Sequence, residues 1–174
     1  PVLDFESVDL GELLQKVAKE TTALGVKQKV TVQLPPQGTI AEAERRYLHR
    51  VLQNLAGNAT RYAKSEVCLS AGIYEGCAYI AVEDDGHGIP EKDRERVFQP
   101  FTRLDDSHTR ASGGYGLGLS IVKDIVKKMR GHVTVQSQPG QGSTFIVDLE
   151  FSRPDRTHWL EIYKTHAPTM YTAV

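Results

Sequence analysis

This sequence of 174 residues has only two cysteines, no long apolar run and no excess of either charge. Two cysteines cannot build a disulfide framework, and no apolar run approaches the roughly 18 residues that a transmembrane helix needs. The 21 basic and 22 acidic residues give a net charge of -1, which argues against a nucleic-acid binder with a broad basic surface. The remaining composition, 40% hydrophobic and 25% charged, predicts one folded globular domain.

The two cysteines fall on neighbouring strand-like segments, Glu66–Tyr74 and Cys77–Asp84. A tight two-residue turn between the segments predicts a hairpin in which Cys68 lies opposite Glu83. Cys68 and Cys77 would then be about six residues, or roughly 20 Å, apart along the sheet, too far for a disulfide. We therefore expect both to be packing residues of a protein in a reducing compartment.

Helical and strand-like patterns alternate along the chain without strict strand–helix–strand repetition. The antiparallel hairpins and the helices together predict an α+β fold, a two-layer α/β sandwich whose mixed sheet is covered on one face by about three helices. The apolar residues of 98–113 follow neither helical nor strand periodicity, which predicts a long functional loop. The patterns predict helices over 9–24, 41–63, 91–97 and 115–129, and strands over 29–34, 66–74, 77–84, 133–136 and 144–149.

The predicted domain covers residues 1–152, and 153–174 fit it poorly. Two interpretations of this last segment stay open: an appended tail, or a short docked helix built on Trp159, Ile162 and Tyr163. Because the chain begins with proline rather than methionine, we expect it to be a fragment of a longer protein.

The long helix predicted over 41–63 carries an unusual polar stripe beside its apolar face. Asn54, Asn58 and Arg61 fall within about 60° of one another on a helical wheel, with Tyr62 next to them. A solvated surface is the simplest interpretation, but asparagine is a poor helix former and two of them one turn apart cost stability. Amide oxygens bind hard cations and guanidinium groups bind phosphate, so the stripe is also a candidate site.

Two glycine-rich segments add to this stripe. Residues 84–90 (DDGHGIP) end a predicted strand with a carboxylate, and its glycines let backbone approach a ligand closely. Residues 113–119 (GGYGLGL) run into a helix start, where free N–H groups attract phosphate. The second segment matches neither the Walker loop nor the dinucleotide fingerprint. Taken alone, each is equally an ordinary turn.

In this order, the motifs resemble those of the catalytic ATP-binding domain of two-component sensor histidine kinases. The resemblance covers about 4–151, and it implies the fold shared with gyrase, Hsp90 and MutL. Residues 52–62 (LQNLAGNATRY) are similar to the N box, 84–90 to the G1 box, and 97–103 (VFQPFTR) to the F box. Residues 114–119 are similar to the G2 box, and 140–145 (GQGSTF) to the last glycine motif.

The resemblance implies a binding site for ATP or ADP. Asp84 would accept a hydrogen bond from the adenine amino group, with Gly86 and Gly88 lining the pocket and Thr144 supporting adenine through water. The other nucleotide contacts that it implies are Arg61, Tyr62, Ile89, Gly114, Tyr115, Gly116, Leu117, Gly118 and Leu119.

It also implies the groups that act on the phosphates. Asn58, with Asn54, would hold the Mg²⁺ that bridges them. Arg103 and Arg110, in a lid formed by 98–113, would meet the γ-phosphate. Two departures from the family are arginine at position 61, where lysine is common, and the bulky Tyr115, where a small residue is common.

The ATP hydrolases of this fold carry a glutamate where this sequence has Asn54, and an amide cannot take a proton. The resemblance therefore favours phosphoryl transfer over hydrolysis. The main interpretation is a protein-histidine kinase domain that feeds a two-component pathway. The alternatives are an anti-sigma-type protein-serine kinase and a regulatory module that binds nucleotide without transferring phosphate.

None of the six histidines has the sequence context of a phosphoacceptor. We expect the acceptor histidine on a separate dimerisation domain of the parent kinase, which would pass phosphate to a response regulator. The resemblance further implies a monomeric isolated domain, a homodimeric parent, no nucleic-acid partner, and a cytoplasmic position in a parent anchored in the bacterial inner membrane.

Overall fold

The computed structural model describes residues 3–74, 76–100 and 118–149. In chain order the elements are β1 (Glu6–Asp9), α1 (Leu10–Ala23), β2 (Lys29–Gln33), β3 (Ile40–Ala43), α2 (Arg45–Tyr62), β4 (Glu66–Tyr74), β5 (Cys77–Asp84), two 3₁₀ turns (Glu91–Asp93 and Arg96–Phe98), α3 (Gly118–Lys128), β6 (His132–Ser137) and β7 (Ser143–Asp148). No helix among these is long and apolar enough to cross a bilayer.

Five strands form one mixed sheet in the order β2-β4-β5-β7-β6. β2 runs parallel to β4, and the other neighbours are antiparallel. The apolar stripes of α1, α2 and α3 pack on one face of this sheet in a single core, with α2 lying between the other two helices. The predicted fold class, a two-layer sandwich with a mixed sheet, is confirmed.

The cysteine hairpin also matches its prediction. Tyr74 pairs with Cys77 and Cys68 pairs with Glu83, and both thiols are free. The predicted start of α1 is confirmed as well, since the Asp9 carboxylate caps the helix by accepting a 3.0 Å hydrogen bond from the Glu12 N–H.

Two helix predictions were wrong in their bounds. The second helix does not begin at Ala41, because Ile40–Ala43 is a strand that pairs with β1, and the Glu44 carboxylate caps the helix at the Tyr47 N–H. The continuous helix predicted over 91–97 is instead two 3₁₀ turns. A segment this short forms too few α-helical bonds to offset the cost of nucleation.

The loop was predicted to begin at Phe98, but Phe98 belongs to the second 3₁₀ turn. Phe98 is buried, and its ring lies edge-on against Phe145 with the centroids 5.9 Å apart. This aromatic contact anchors the second 3₁₀ turn to the sheet. Residues 101–113 of the predicted lid and the whole segment 153–174 lie outside the described residues.

Candidate functional site

The candidate site is centred on Asp84, the last residue of the central strand β5. Its side chain is 5% exposed, and its Oδ1 accepts a 2.9 Å hydrogen bond from the Gly86 N–H. Burial raises the pKa of Asp84 to about 6, and the nearby charge of Asp85 adds to this, while hydrogen bonds from the backbone of Gly86 and Ser143 oppose it. Above that pH, the site presents a buried carboxylate whose charge is held by backbone donors.

Glycines let three backbone segments meet around this carboxylate. A Cβ on Gly86 would lie 2.3 Å from the carbonyl oxygen of Tyr62, and one on Gly142 would lie 2.0 Å from that of Asp84. A Cβ on Gly88 would lie 2.3 Å from the carbonyl oxygen of Gln138. Real Cβ atoms essentially never come this close to another atom. The end of α2, the turn after β5 and the β6–β7 turn therefore touch only because these positions lack side chains.

Two serines that were not expected at the site join the same segments. Ser137 Oγ accepts a 2.6 Å hydrogen bond from the Ile89 N–H, and it lies 3.0 Å from the Gly142 carbonyl oxygen and 2.9 Å from Ser143 Oγ. Because a hydroxyl has one proton, donation to Gly142 leaves Ser143 as the donor within the serine pair. The serines hold the turn after β5 against the β6–β7 turn.

The structure does not bring Thr144 to Asp84. In the β5–β7 register Ser143 is opposite Asp84, whereas Thr144 is opposite Glu83. Directly paired residues point to the same face, so Thr144 lies on the sheet face away from the helices. Thr144 therefore does not reach Asp84, as its predicted role would require, and Ser143 lies beside Asp84 instead. Strand alternation could have revealed this, because Ser143 shares its face with the buried Phe145.

The polar stripe lies on α2, the helix whose last residue, Tyr62, contacts the turn after β5. Asn54 and Asn58 are half-buried, and Arg61 is exposed. The Asn54 amide nitrogen donates to the Arg50 carbonyl oxygen at 2.8 Å, and its Oδ1 lies 3.4 Å from where a Cβ on Gly118 would be. Asn54 of the stripe therefore lies beside the first turn of α3.

Tyr62 completes the contact between α2 and the turn after β5. Its ring meets His87 edge-on, with the centroids 5.7 Å apart and an interplanar angle of 72°. Together with the close approach of Gly86 to the Tyr62 backbone, this contact fixes the end of α2 beside Asp84.

Asp85, the neighbour of Asp84, has a different role. Its carboxylate accepts hydrogen bonds from the Ser65 N–H at 3.0 Å, from the Ser65 hydroxyl, and from the Glu66 N–H at 3.1 Å. Burial alone would raise its pKa, but these donors outweigh burial and lower it. Asp85 thus ties the start of β4 to the end of β5, while Asp84 faces the pocket.

The remaining predicted site residues are only partly described. Gly118 begins α3, the half-buried Leu119 packs against the main core, and the backbone of Ile89 is held by Ser137. The other members of the predicted lid and of the phosphate-binding motif lie outside the described residues: Arg103, Arg110, Gly114, Tyr115, Gly116 and Leu117.

Within the described ranges, no group of three His, Cys, Asp or Glu side chains could hold a metal ion. A cation at this site would depend on the amide oxygens of Asn54 and Asn58 together with oxygens of the ligand itself. Mg²⁺ suits such an arrangement, because it takes few protein ligands and keeps phosphate and water oxygens. The residues present therefore fit a magnesium–phosphate group.

Comparisons with known proteins agree with this geometry. Sensor histidine kinase CpxA of Escherichia coli strain K12 is 32% identical over 153 residues, which are 88% of this chain and 31% of CpxA. Sensor protein RstB of the same strain is 38% identical over 143 residues, 82% of this chain and 33% of RstB. The chain thus spans about a third of the length of these relatives.

Solved structures show the same fold. Full-length ShkA in complex with AMPPNP superposes with a TM-score of 0.74 at 29% identity, over 85% of this chain and 31% of ShkA. The catalytic domain of histidine kinase ThkA superposes with a TM-score of 0.70 at 22% identity, over 84% of this chain and 95% of that domain. The sequence also matches, over residues 43–153, the family described as histidine kinase-, DNA gyrase B- and HSP90-like ATPase, and the chain belongs to this family.

Proposed function

We propose that the chain binds Mg-ATP and transfers the γ-phosphoryl group to a histidine on a separate domain of a sensor kinase. The observation that carries the proposal is the buried Asp84 carboxylate, held by Gly86 and Ser143 beside the asparagine stripe of α2. This arrangement combines an acceptor for the adenine amino group with amide ligands for a metal–phosphate group.

At the adenine end, Asp84 acts as the hydrogen-bond acceptor. It is ionised at neutral pH because its pKa of about 6 lies below that value. The Gly86 N–H donates to the carboxylate at 2.9 Å, and Gly142 packs against the backbone carbonyl of Asp84, so both the side chain and the main chain are held in place. A fixed acceptor favours adenine, which presents an amino donor, over guanine, which presents an oxygen at the equivalent position.

At the phosphate end, Asn54 and Asn58 hold the cation, and the first turn of α3 supplies backbone N–H groups to the phosphates. Bound Mg²⁺ neutralises phosphate charge, which phosphoryl transfer needs more than it needs covalent help from the protein. Arg61, Arg103 and Arg110 add positive charge around the phosphates. In the transfer itself, a histidine ring nitrogen bonds to the γ-phosphorus while the bond from that phosphorus to the ADP oxygen breaks.

Transfer is favoured over hydrolysis because the α2 side of the pocket lacks a general base among the described residues. Asn54 donates its amide hydrogen to Arg50 and has no basic group to accept a proton from water. The Glu44 carboxylate caps α2 by accepting a hydrogen bond from the Tyr47 N–H, and it lies far from Asn58 along the helix. Water in the site would therefore be a poor nucleophile.

The acceptor comes from elsewhere in the parent protein. Among the described histidines, His49 is engaged by Glu20 at 2.8 Å and His87 contacts Tyr62. The relatives are about three times longer than this chain, which leaves room for an acceptor and a sensor. We place this domain on the cytoplasmic side of a membrane-anchored dimer that feeds a response regulator.

Paired variants test the nucleotide site. Asp84→Asn replaces the acceptor with a donor that faces the adenine amino group, so ATP affinity should fall on the order of tenfold or more. Asp85→Asn makes the same chemical change on the other side of the strand end, and it should lower stability while leaving ATP affinity nearly unchanged. Isothermal calorimetry with ATP and GTP measures both. Equal losses in the two variants, or equal affinity for ATP and GTP, would remove the adenine assignment.

A mixing assay tests the transfer. Incubated alone with labelled ATP, the chain should take up no stable label and release phosphate slowly. Given a separate dimerisation domain that bears an acceptor histidine, it should label that domain in an acid-labile, base-stable form, and Asn58→Asp should cut the labelling severely. Base-labile, acid-stable label would indicate a serine kinase instead. Nucleotide binding with no transfer to any acceptor domain would indicate a regulatory module.

A further inference from the structure

The sheet face away from the helices is buried at its centre. Four residues there are almost inaccessible to water: Cys77 and Ala81 on β5 are 0% exposed, Ile146 on β7 is 1% exposed, and Thr144 beside it is 2% exposed. Cys77, Ala81 and Ile146 form a small cluster of their own with Tyr79, separate from the main core. We call Cys77, Tyr79, Ala81 and Ile146 the outer strip.

The described elements do not account for this burial. The helical residues that the structure describes pack in the main core on the opposite face, and none belongs to the outer strip. Ile146 pairs with Ala81 on β5 and with Thr134 on β6. Side chains stand roughly perpendicular to a sheet, so an uncovered Ile146 would keep its outer methyl groups in water. Ile146 is only 1% exposed, so its outer methyl groups are shielded from water.

We propose that the C-terminal segment 150–174 docks on the outer strip and turns the two-layer sandwich into a three-layer domain. The segment follows directly from β7, the strand that carries Ile146, so it starts at the edge of the surface to be covered. Trp159 lies ten positions after Leu149, a span of up to about 33 Å, which is more than enough to turn back over the neighbouring strands.

The composition of the segment suits this position. Trp159, Ile162 and Tyr163 have the i, i+3, i+4 spacing that places side chains on one face of a helix. Two large aromatic side chains and one branched side chain are complementary to a surface built from the small Ala81 and Cys77. This is the docked-helix interpretation of 153–174, and it goes beyond nucleotide binding, since the outer strip lies on the side of the sheet away from the α2 stripe.

The single tryptophan of the chain reports on the docking directly. In the full-length protein, Trp159 emission should be shifted to the blue of its emission in denaturant and should resist quenching by acrylamide. Ile146→Ala should move the emission to the red. Ile73→Ala is the matched control, because Ile73 is on the same sheet but 51% exposed, and it should leave the emission unchanged. A solvent-exposed Trp159 in the folded chain overturns the proposal.

Thiol labelling tests the other side of the contact. In a Cys68→Ser background, Cys77 is the sole thiol, and a maleimide should label it slowly. Trp159→Ala should raise the labelling rate on the order of tenfold by favouring local opening, whereas Lys164→Ala, in the same segment, should not. Circular dichroism and ATP binding verify that the variants remain folded. Protection of Cys77 that persists in Trp159→Ala, or that is lost on dilution as for a second copy of the chain, contradicts the proposal.

Discussion

The β6–β7 turn offers a matched pair of glycines that tests how the nucleotide site is built. Gly140 and Gly142 have nearly the same backbone conformation, with φ of +83° and +86°. They differ in their surroundings. A Cβ on Gly140 would meet nothing within 4 Å, whereas one on Gly142 would lie 2.0 Å from the carbonyl oxygen of Asp84. Alanine at either position has the same conformational cost, but only at Gly142 does it collide with the site.

The sizes of the two effects follow from these values. A left-handed φ costs an alanine about 1–2 kcal/mol, and the lower entropy of the unfolded chain returns about 0.4–1 kcal/mol. Gly140→Ala should therefore lower the free energy of unfolding by about 1 kcal/mol. At Gly142 the Asp84 backbone must also move by about 1 Å to restore contact at 3.0 Å, which adds about 1–3 kcal/mol. The total for Gly142→Ala is about 2–4 kcal/mol.

Urea unfolding and ATP calorimetry on the two variants measure stability and function separately. Gly142→Ala should lose ATP affinity on the order of tenfold or more, because it displaces Asp84 itself. Gly140→Ala should bind ATP like the parent chain. If the two variants lose the same stability, or if Gly142→Ala keeps its full ATP affinity, the backbone contact between the β6–β7 turn and Asp84 does not hold the site.

Two further predictions concern pH. Burial, followed by the charges of Asp84 and Glu66, raises the pKa of Glu83 to about 8; the folded chain then keeps a proton that the unfolded chain releases from about pH 4.5 upward. The free energy of unfolding should therefore fall as pH rises from about 4.5 to about 8. Urea unfolding at pH 5 and pH 8 measures this fall, and it should be smaller in Glu83→Gln. A fall of the same size in the variant would refute the raised pKa of Glu83. Burial also raises the pKa of Asp84 to about 6. ATP affinity, measured by calorimetry, should therefore weaken a few-fold from pH 7.5 to pH 5.5, because the acceptor loses its charge. A constant affinity over this range would exclude an ionised Asp84 as the acceptor.

The elements that could be predicted from sequence are those whose signals are local. The hairpin of β4 and β5 follows from alternation on both sides of a tight turn, and α1 follows from its cap at Asp9 and its apolar stripe. The start of α2 was predicted too early because Ile40–Ala43 is a short segment with weak alternation. It forms a strand only by pairing with β1. The partner strand lies more than thirty residues away, beyond the reach of a local pattern.

At the candidate site, the motifs predicted which segments meet but not which side chains. Asp84, the α2 stripe and the glycine turns were all found from residue type and order. Ser143 and Ser137 were not, because a hydroxyl has no distinctive spacing, and Thr144 was chosen instead from its place in the motif. Only the β5–β7 register decides that Ser143 points with Asp84 and Thr144 points away.

The sequence by itself thus determined the fold class and the order of the motifs, and it singled out Asp84 as the candidate carboxylate. These depend on periods of two and 3.6 residues, on caps and on glycines, all of which act between residues a few positions apart. The tertiary structure alone decided that Asp84 is buried while Asp85 braces the next strand, and that Cys77, Ala81 and Ile146 are buried on the outer sheet face. Burial and pairing across strands arise between segments distant in the chain, so no local pattern contains them.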